Sequence, residues 1–488
     1  MSASMSAVSS ATESQFRFKG TALLGGALVG GRLAQAAAFL AMARFLDAPA
    51  MGAVAILTAL YLGLFQLTNF GFDRYIVYAP AKEDADLVAT IDTVWTMQLL
   101  RGVCVLALVL PLTLALAWFP DFGISADHAI GVAAVIFVLS LANPDLSSFE
   151  RKGDFSYISL ARGLSAAVGA SVTILVVIFW QDPWVYVVGQ MATAVVLVAL
   201  SFHYGRRRPR LRFDTERLRE AFAYGKHMIV IATVSFLAAQ GQNVYVGLMF
   251  GPAILGSYFT WHRLVSLPGE LVTQMQDRLL FAKASEQARR QDQAGPAHLV
   301  GFALTMGLLM PFYVFVWFHG DVLMAFVAGE RWVSYWWVGK AFVLLGFFYA
   351  VAGTITPFAL VKAPRLTSRL RAIEAICGFS LLLVLGHLYG VGGVLTALVT
   401  EIAVVAMLGI VILYRHIVTE NRRYHAQSAL LALATVTLPL LMWETLVAPL
   451  LSGGMLAAGS AAGVYVLVSL SLAGASLAYR KRLLRGWT

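Results

Sequence analysis

Apolar runs of about twenty residues, the length a helix needs to cross a hydrocarbon core, recur from Gly20 to the C-terminal end of this chain. Lipid offers no partner for backbone N–H and C=O groups, so such runs have one open route, a bundle of membrane-spanning helices. Composition agrees. Hydrophobic residues make up 59% of 488 and charged residues 13%, against about 25% charged in a soluble domain. Mean hydropathy is +0.76. The expected fold class is therefore an all-α polytopic membrane protein.

Apolar periodicity gives about fourteen transmembrane helices. They fall at roughly 20–43, 51–70, 92–118, 128–144, 157–180, 184–203, 224–249, 253–277, 298–318, 333–357, 367–387, 391–414, 428–449 and 455–478. The first fifteen residues are polar and Ser/Ala-rich, without a charged region or a cleavage site. They read as a disordered cytoplasmic tail ahead of an uncleaved first helix. Cys104 and Cys377 both lie in apolar segments, where they read as small packing residues rather than a disulfide or metal framework.

Cytoplasmic loops retain Lys and Arg. With both termini cytoplasmic, inner tails and loops hold 29 of the 36 basic residues, from Arg17 to Arg485. Arg44, Arg331 and Lys340 fall outside, and Arg32, Arg101, Arg162 and Arg263 fall within spans. The net charge of +10 is thus mostly topology. The run Arg206–Arg212 follows from the same bias and gives no reason to expect a nucleic-acid partner. Trp118, Trp180, Trp184, Trp317, Trp332, Trp336, Trp337 and Trp443 fall at expected outer ends, as an aromatic belt would. The expected location is a membrane crossed many times, with both termini cytoplasmic.

The loops are short, so no extracytoplasmic catalytic domain fits. The chain has no phosphate-loop signature and no His-Glu-x-x-His zinc motif, which argues against ATP-driven transport by this chain alone and against metal chemistry. No cofactor is expected, apart from H+ or Na+ as a coupling ion. A transporter, not an enzyme, is the class this leaves.

The expected organisation is a cytoplasmic tail (1–19), an N-lobe of six helices (20–204), a basic linker (205–223) and a C-lobe of six helices (224–414). Two further helices (428–478) and a basic tail (479–488) follow. An internal echo supports the two halves. "DAPAMGAV" (Asp47–Val54) separates spans one and two, and "FGPAILGSY" (Phe250–Tyr258) separates spans seven and eight. Parallel repeats of this kind place a substrate path between the halves.

An arginine at bilayer depth costs about 2.5–3.5 kcal/mol on insertion scales, so it usually faces a cavity or snorkels to the headgroups. Arg162 lies within one or two turns of the inner edge, and either account fits it. Arg101 lies deeper. Arg32 and Arg263 lie roughly 15–18 Å from either edge at 1.5 Å per residue, beyond the reach of the side chain. They are expected in a water-filled cavity, the alternative being an internal ion pair.

In span eight, Thr260, Arg263, Ser266, Glu270, Gln274 and Asp277 share one stripe, with Pro268-Gly269 able to open or bend the helix between Arg263 and Glu270. Span seven carries Thr233, Gln240, Asn243 and Gly247 on one side, and span one Gly25, Arg32 and Gln35. Such stripes either glue helices together or line a cavity; three of them near the seam between halves favour the cavity. Guanidinium is planar, forked and permanently charged, which suits phosphate. Tyr258 and Trp261 are placed to stack on sugar rings or to pack in the core. Glu374, Glu401 and Glu444 either carry protons for coupling or pair with arginines.

The chain resembles the polysaccharide (Wzx-type) flippases of the multidrug/oligosaccharidyl-lipid/polysaccharide exporter superfamily. The resemblance rests on "ARFLDAPAMGAVAIL", "NPDLSSFERKGDFSYISL", "LRFDTERLREAFAYGKHMIV" and "GPAILGSYFTWHRLVSLPGELV". In the last, Gly251, Leu255, Gly256, Tyr258, Arg263 and Pro268 match common family positions. Asn243 departs from the family, standing where many members have an aspartate, and Ala50 and Ala282 depart similarly. The resemblance implies two six-helix lobes around a central cavity plus two C-terminal helices. It implies movement of an undecaprenyl-diphosphate-linked oligosaccharide from inner to outer leaflet by alternating access, for exopolysaccharide, capsule or O-antigen assembly. Arg32 and Arg263 would hold the diphosphate, with Arg101 as a further site, and Tyr258, Trp261, Glu270, Gln240 and Asn243 would complete the lining. Membrane lipid, the polysaccharide polymerase and its chain-length machinery are the implied partners. A multidrug/cation antiporter of the same superfamily and a peptidoglycan-precursor flippase are the nearest rival readings.

Overall fold

The computed structural model of the chain describes residues 26–27, 29–69, 71, 75–77, 84–116, 123–151, 154–290, 294–418, 421–447 and 458–464. The described residues are overwhelmingly helical. We number the main helices α1 (29–45), α2 (Ala48–Thr68), α3 (Asp84–Leu116), α4 (Ala126–Ser140), α5 (Ser156–Phe179) and α6 (Trp184–Tyr204). Thr215–Arg290 breaks at Gly251 into α7 (215–250) and α8 (252–290). Then follow α9 (Gly295–Val327) and α10 (Trp336–Lys362). Pro364–Ile412 breaks at Gly390 into α11 (364–389) and α12 (391–412). Last come α13 (Arg422–Met442) and α14 (458–464).

The described helices correspond in order to the expected spans, the last of them described over 458–464 only. Nine described helices are long and apolar enough to cross a membrane. Two of the nine contain the glycine breaks, α4 is a shorter apolar helix, and α1 and α14 complete the set. Two boundaries differ from expectation in kind. Spans seven and eight, and eleven and twelve, have no loop between them. A single glycine reverses the chain instead, Gly251 at φ 81° and Gly390 at φ 63°. Both values lie in the left-handed region, which glycine enters without a Cβ penalty. Pro268 does not break α8: the backbone dihedrals stay helical from 252 to 290. The expected terminal tails and Trp118 lie outside the described residues.

The chain divides into two compact units after Gly256. In the first, α4 packs on α2, α3 and α6, and α5 packs on α6. Small residues set these contacts. Gly169 on α5 faces Thr193 on α6, and Gly189 on α6 faces Thr173 on α5. Each threonine hydroxyl donates to a backbone carbonyl of its own helix, Thr193 to Gly189 at 3.0 Å and Thr173 to Gly169 at 3.0 Å. No polar atom of either pair is left to lipid. α2 starts where Asp47 accepts from the Ala50 N–H at 2.9 Å, an N-cap followed by proline in the first turn.

The basic linker is held rather than loose. Asp145 accepts from the Arg206 and Arg207 N–H groups at 2.8 and 3.1 Å, and the Asn143 amide donates to the Arg207 carbonyl at 2.7 Å. Asp92 accepts from the Arg210 N–H and the Thr96 hydroxyl from the Arg212 N–H, both at 2.9 Å. Arg217 then donates to Asp86 and Thr90, each at 2.8 Å. The linker backbone is thus bound to α3 and to the segment after α4, while Arg206, Arg208, Arg210 and Arg212 are exposed.

In the second unit α9 is central, packing on α10 and α13. Tyr313 of α9 fits between two glycines. Its hydroxyl would lie 3.0 Å from a methyl on Gly269 of α8, and its ring 2.7 Å from one on Gly346 of α10. Two histidine contacts tie α9 to α13 and to the segment Trp443–Val447 that follows it. Buried His298 and His425 meet at 3.3 Å, and His319 meets the Glu444 carboxylate at 2.9 Å.

Candidate functional site

The eight residues expected to line a substrate path separate into three groups. Three are buried in packing. Trp261 is fully buried and its indole N–H donates to the Trp332 carbonyl at 3.0 Å. Its ring fills the space left by Gly339 on α10. Tyr258 is equally buried, with its ring edge-on to Phe342 at 5.0 Å. Neither ring is open for stacking on a sugar; of the two alternatives, their surroundings support core packing. Arg101, 8% exposed, donates to the Ser140 hydroxyl at 3.3 Å and lies over the Phe65 ring at 5.3 Å. It joins α2, α3 and α4.

A second group, on α7, is also turned inward. Asn243 is 2% exposed and its amide donates to Gln240 Oε1 at 3.0 Å. Asn243 Oδ1 has no hydrogen-bond donor among the described residues. Gly247, one turn on, packs against Ile56 and Leu255. The α7 stripe therefore serves helix contact along this stretch.

The third group remains accessible. Arg263 and Glu270 of α8 form an ion pair at 2.6 Å, with side chains 30% and 41% exposed. Ser266 lies between them, 3.4 Å from the Glu270 carboxylate. The internal ion pair and an accessible surface occur together here. Gln274 and Asp277 side chains lie outside the described residues. On α1, Arg32 is exposed, and no hydrogen bond or ion pair to its side chain is found among the described residues.

The acids resolve differently from one another. Glu374 pairs with Arg371 at 2.9 Å, and Glu444 with His319. Glu401 puts its carboxyl against Gly378, in the wall of a largely apolar cavity of about 280 Å³ formed by α10, α11 and α12. Cys377 lines the same cavity, and Cys377 and Cys104 are both exposed free thiols rather than packing residues. Their helices are apolar on the outward face as well, so hydropathy does not distinguish that face from the core. Trp332, expected in the aromatic belt, is buried, whereas Trp180 and Trp337 are about half exposed. The histidine ties between α9 and α13 carry no sequence motif that marks them.

With this geometry in view, residues 41–336, more than half of the chain, match the family described as polysaccharide biosynthesis protein. The chain belongs to that family. Its fold is shared with the lipid II flippase MurJ in an inward closed conformation, with a TM-score of 0.71 at 14% identity, over 94% of this chain and 99% of that one. An inward-facing multidrug resistance MATE family transporter of the MOP superfamily gives 0.56 at 12% identity, over 82% and 95%. Among curated proteins, none matches the chain by sequence. The protein is thus a multi-pass membrane protein of the polysaccharide biosynthesis family, with a fold shared by a lipid II flippase and a MATE family transporter.

Proposed function

We propose that the protein is a flippase that carries an undecaprenyl-diphosphate-linked oligosaccharide from the inner to the outer leaflet of a bacterial cytoplasmic membrane. Alternating access moves the load, for exopolysaccharide, capsule or O-antigen assembly. The observation that carries this reading is Arg32, an exposed guanidinium within an apolar helix of a polysaccharide-family protein. A charge in that position is costly unless it faces water or an anion, and a planar fork suits a diphosphate. Arg263, accessible and paired with Glu270, is the second proposed phosphate contact. Glu270 holds its guanidinium until an anionic ligand competes for it. The likeness to a lipid II flippase favours a second reading of similar chemistry, a peptidoglycan-precursor flippase.

Binding of undecaprenyl diphosphate to the purified protein tests the proposal, comparing wild type with Arg32→Ala and Arg263→Ala after folding is checked. Tenfold weaker binding in the variants is expected. A wild type that does not bind this lipid overturns the reading.

A further inference from the structure

Two exposed arginines within the helices of the first unit, Arg32 and Arg162, are set by one glycine contact. Gly31 of α1 lies against Gly163 of α5, where an added methyl would stand 2.9 Å from the Gly163 carbonyl oxygen and 3.3 Å from Ala166 Cβ. Gly163 in turn lies against Ala27, four residues before Gly31 in the helical pair 26–27 that precedes α1. Cβ atoms tilt toward a helix's N-terminus. Gly31 meets α5 at 163–166 while Gly163 meets Ala27, and this order requires the two helices to run in the same direction.

Arg32 follows Gly31 and Arg162 precedes Gly163. A step of one residue turns about 100° around a helix. A step forward on one helix and a step back on a parallel helix facing it turn toward the same side. Arg32 and Arg162 therefore flank one side of the α1–α5 seam. Both are exposed, and neither side chain has a hydrogen bond or ion pair among the described residues.

The contact also fixes depth. Gly163 lies about 10 Å along α5 from Ser156 at 1.5 Å per residue. That is the end at which Asn143 and Asp145 bind the basic linker. Arg32 is level with it. This register sets both arginines about 10 Å from the end of α5 nearest the basic linker.

We infer that Arg32 and Arg162 together form a loading site for the phosphate groups of a lipid-linked substrate entering from the basic side, ahead of its passage through the bilayer. Two like charges on one side of adjacent helices, axes about 8 Å apart at a close crossing, favour an anion between them. A diphosphate offers oxygens to both forks at once. The small seam residues let the helices approach, and so set the spacing. This inference rests on the flippase reading and adds to it a residue and a place.

The test uses full-length protein in nanodiscs, with undecaprenyl diphosphate in the bilayer and inorganic pyrophosphate in solution as separate probes. Arg32→Ala, Arg162→Ala, the double variant and Arg162→Lys are compared after thermal unfolding confirms each is folded. Each single alanine variant is expected to weaken lipid binding about tenfold, with the double variant losing much less than a hundredfold, because the two residues share one ligand. Arg162→Lys, keeping charge without the fork, is expected to fall between wild type and Arg162→Ala. It also keeps the test open if an alanine variant fails to fold. Unchanged binding in Arg162→Ala, with weakened binding in Arg32→Ala and Arg263→Ala, overturns this inference and leaves the flippase reading standing. Losses that multiply independently overturn the shared site. Pyrophosphate binding as tight as that of the lipid overturns the lipid assignment in favour of a soluble diphosphate. A wild type that does not bind the lipid overturns both readings.

Discussion

Gly52 and Gly256 face each other's hairpins reciprocally: Gly52 of α2 lies against the Pro252 carbonyl, and Gly256 of α8 against the Ala48 carbonyl. The two glycine-marked turns that echo each other in the sequence are thus packed together, each glycine receiving the backbone of the other's first turn. A Cβ at either position collides with main chain, which yields less than a side-chain tip. Gly52→Ala and Gly256→Ala are each expected to lower stability by about 1–3 kcal/mol, the range for overpacking. Thermal unfolding in detergent measures this. Gly392→Ala, which meets nothing within 4 Å, is the control and is expected to change little.

Arg263 and Glu270 are both accessible, so their ion pair contributes modestly to folding, about 0–1 kcal/mol. Glu270→Gln is expected to leave the unfolding midpoint nearly unchanged. The same substitution frees the guanidinium, and binding of an anionic lipid phosphate is expected to tighten severalfold. A lipid-binding titration in nanodiscs measures it; weaker binding would mean that Glu270 itself contacts the ligand.

The α9–α13 ties are buried and are expected to matter more for stability. His425 touches both His298 at 3.3 Å and the Tyr414 hydroxyl at 3.1 Å. His425→Leu removes a partner from each, and leaving buried polar groups without one costs about 1–3 kcal/mol. His319→Leu is expected to have a similar effect through Glu444, whose side chain is 2% exposed. Denaturation midpoints of the two variants check both.

The basic linker gives a prediction outside the spans. Asp145→Ala removes the acceptor shared by the Arg206 and Arg207 N–H groups, and faster tryptic cleavage within 205–214 is expected. Acid has a distinct effect at the start of α7. The Arg217 N–H, with the Arg217 guanidinium beside it, holds the Asp214 carboxyl below the usual carboxylate range. A depressed carboxyl stabilises above its unfolded value, about 3.9, and loses that contribution only as pH falls through its lower folded value. Cleavage near Asp214, taken relative to trypsin's rate on an unfolded peptide at each pH, is therefore expected to stay constant between about pH 8 and pH 5. A rise within that window would contradict the cap.

Helix number and order are legible in the sequence because a span must be long and apolar, and both properties are local. Turn chemistry is less so: Gly251 and Gly390 reverse the chain in one residue, where a loop is the ordinary expectation. Facing is harder still. Trp261, open in the sequence to stacking or packing, fills the space at Gly339, and Asn243 of the α7 stripe is buried beside Ile56-packed Gly247. The Arg32–Arg162 relation was written in the mirrored pairs Gly31-Arg32 and Arg162-Gly163. It becomes readable only when α1 and α5 are known to touch and to run in parallel, which no single helix encodes.

Transbilayer movement of a fluorescent, sugar-bearing prenyl diphosphate in proteoliposomes tests the central claim most directly. The account predicts that wild-type protein speeds its passage between leaflets well above protein-free liposomes, and that folded Arg32→Ala slows it at least tenfold. Passage at the protein-free rate with wild type, or an unchanged rate in Arg32→Ala, would contradict it.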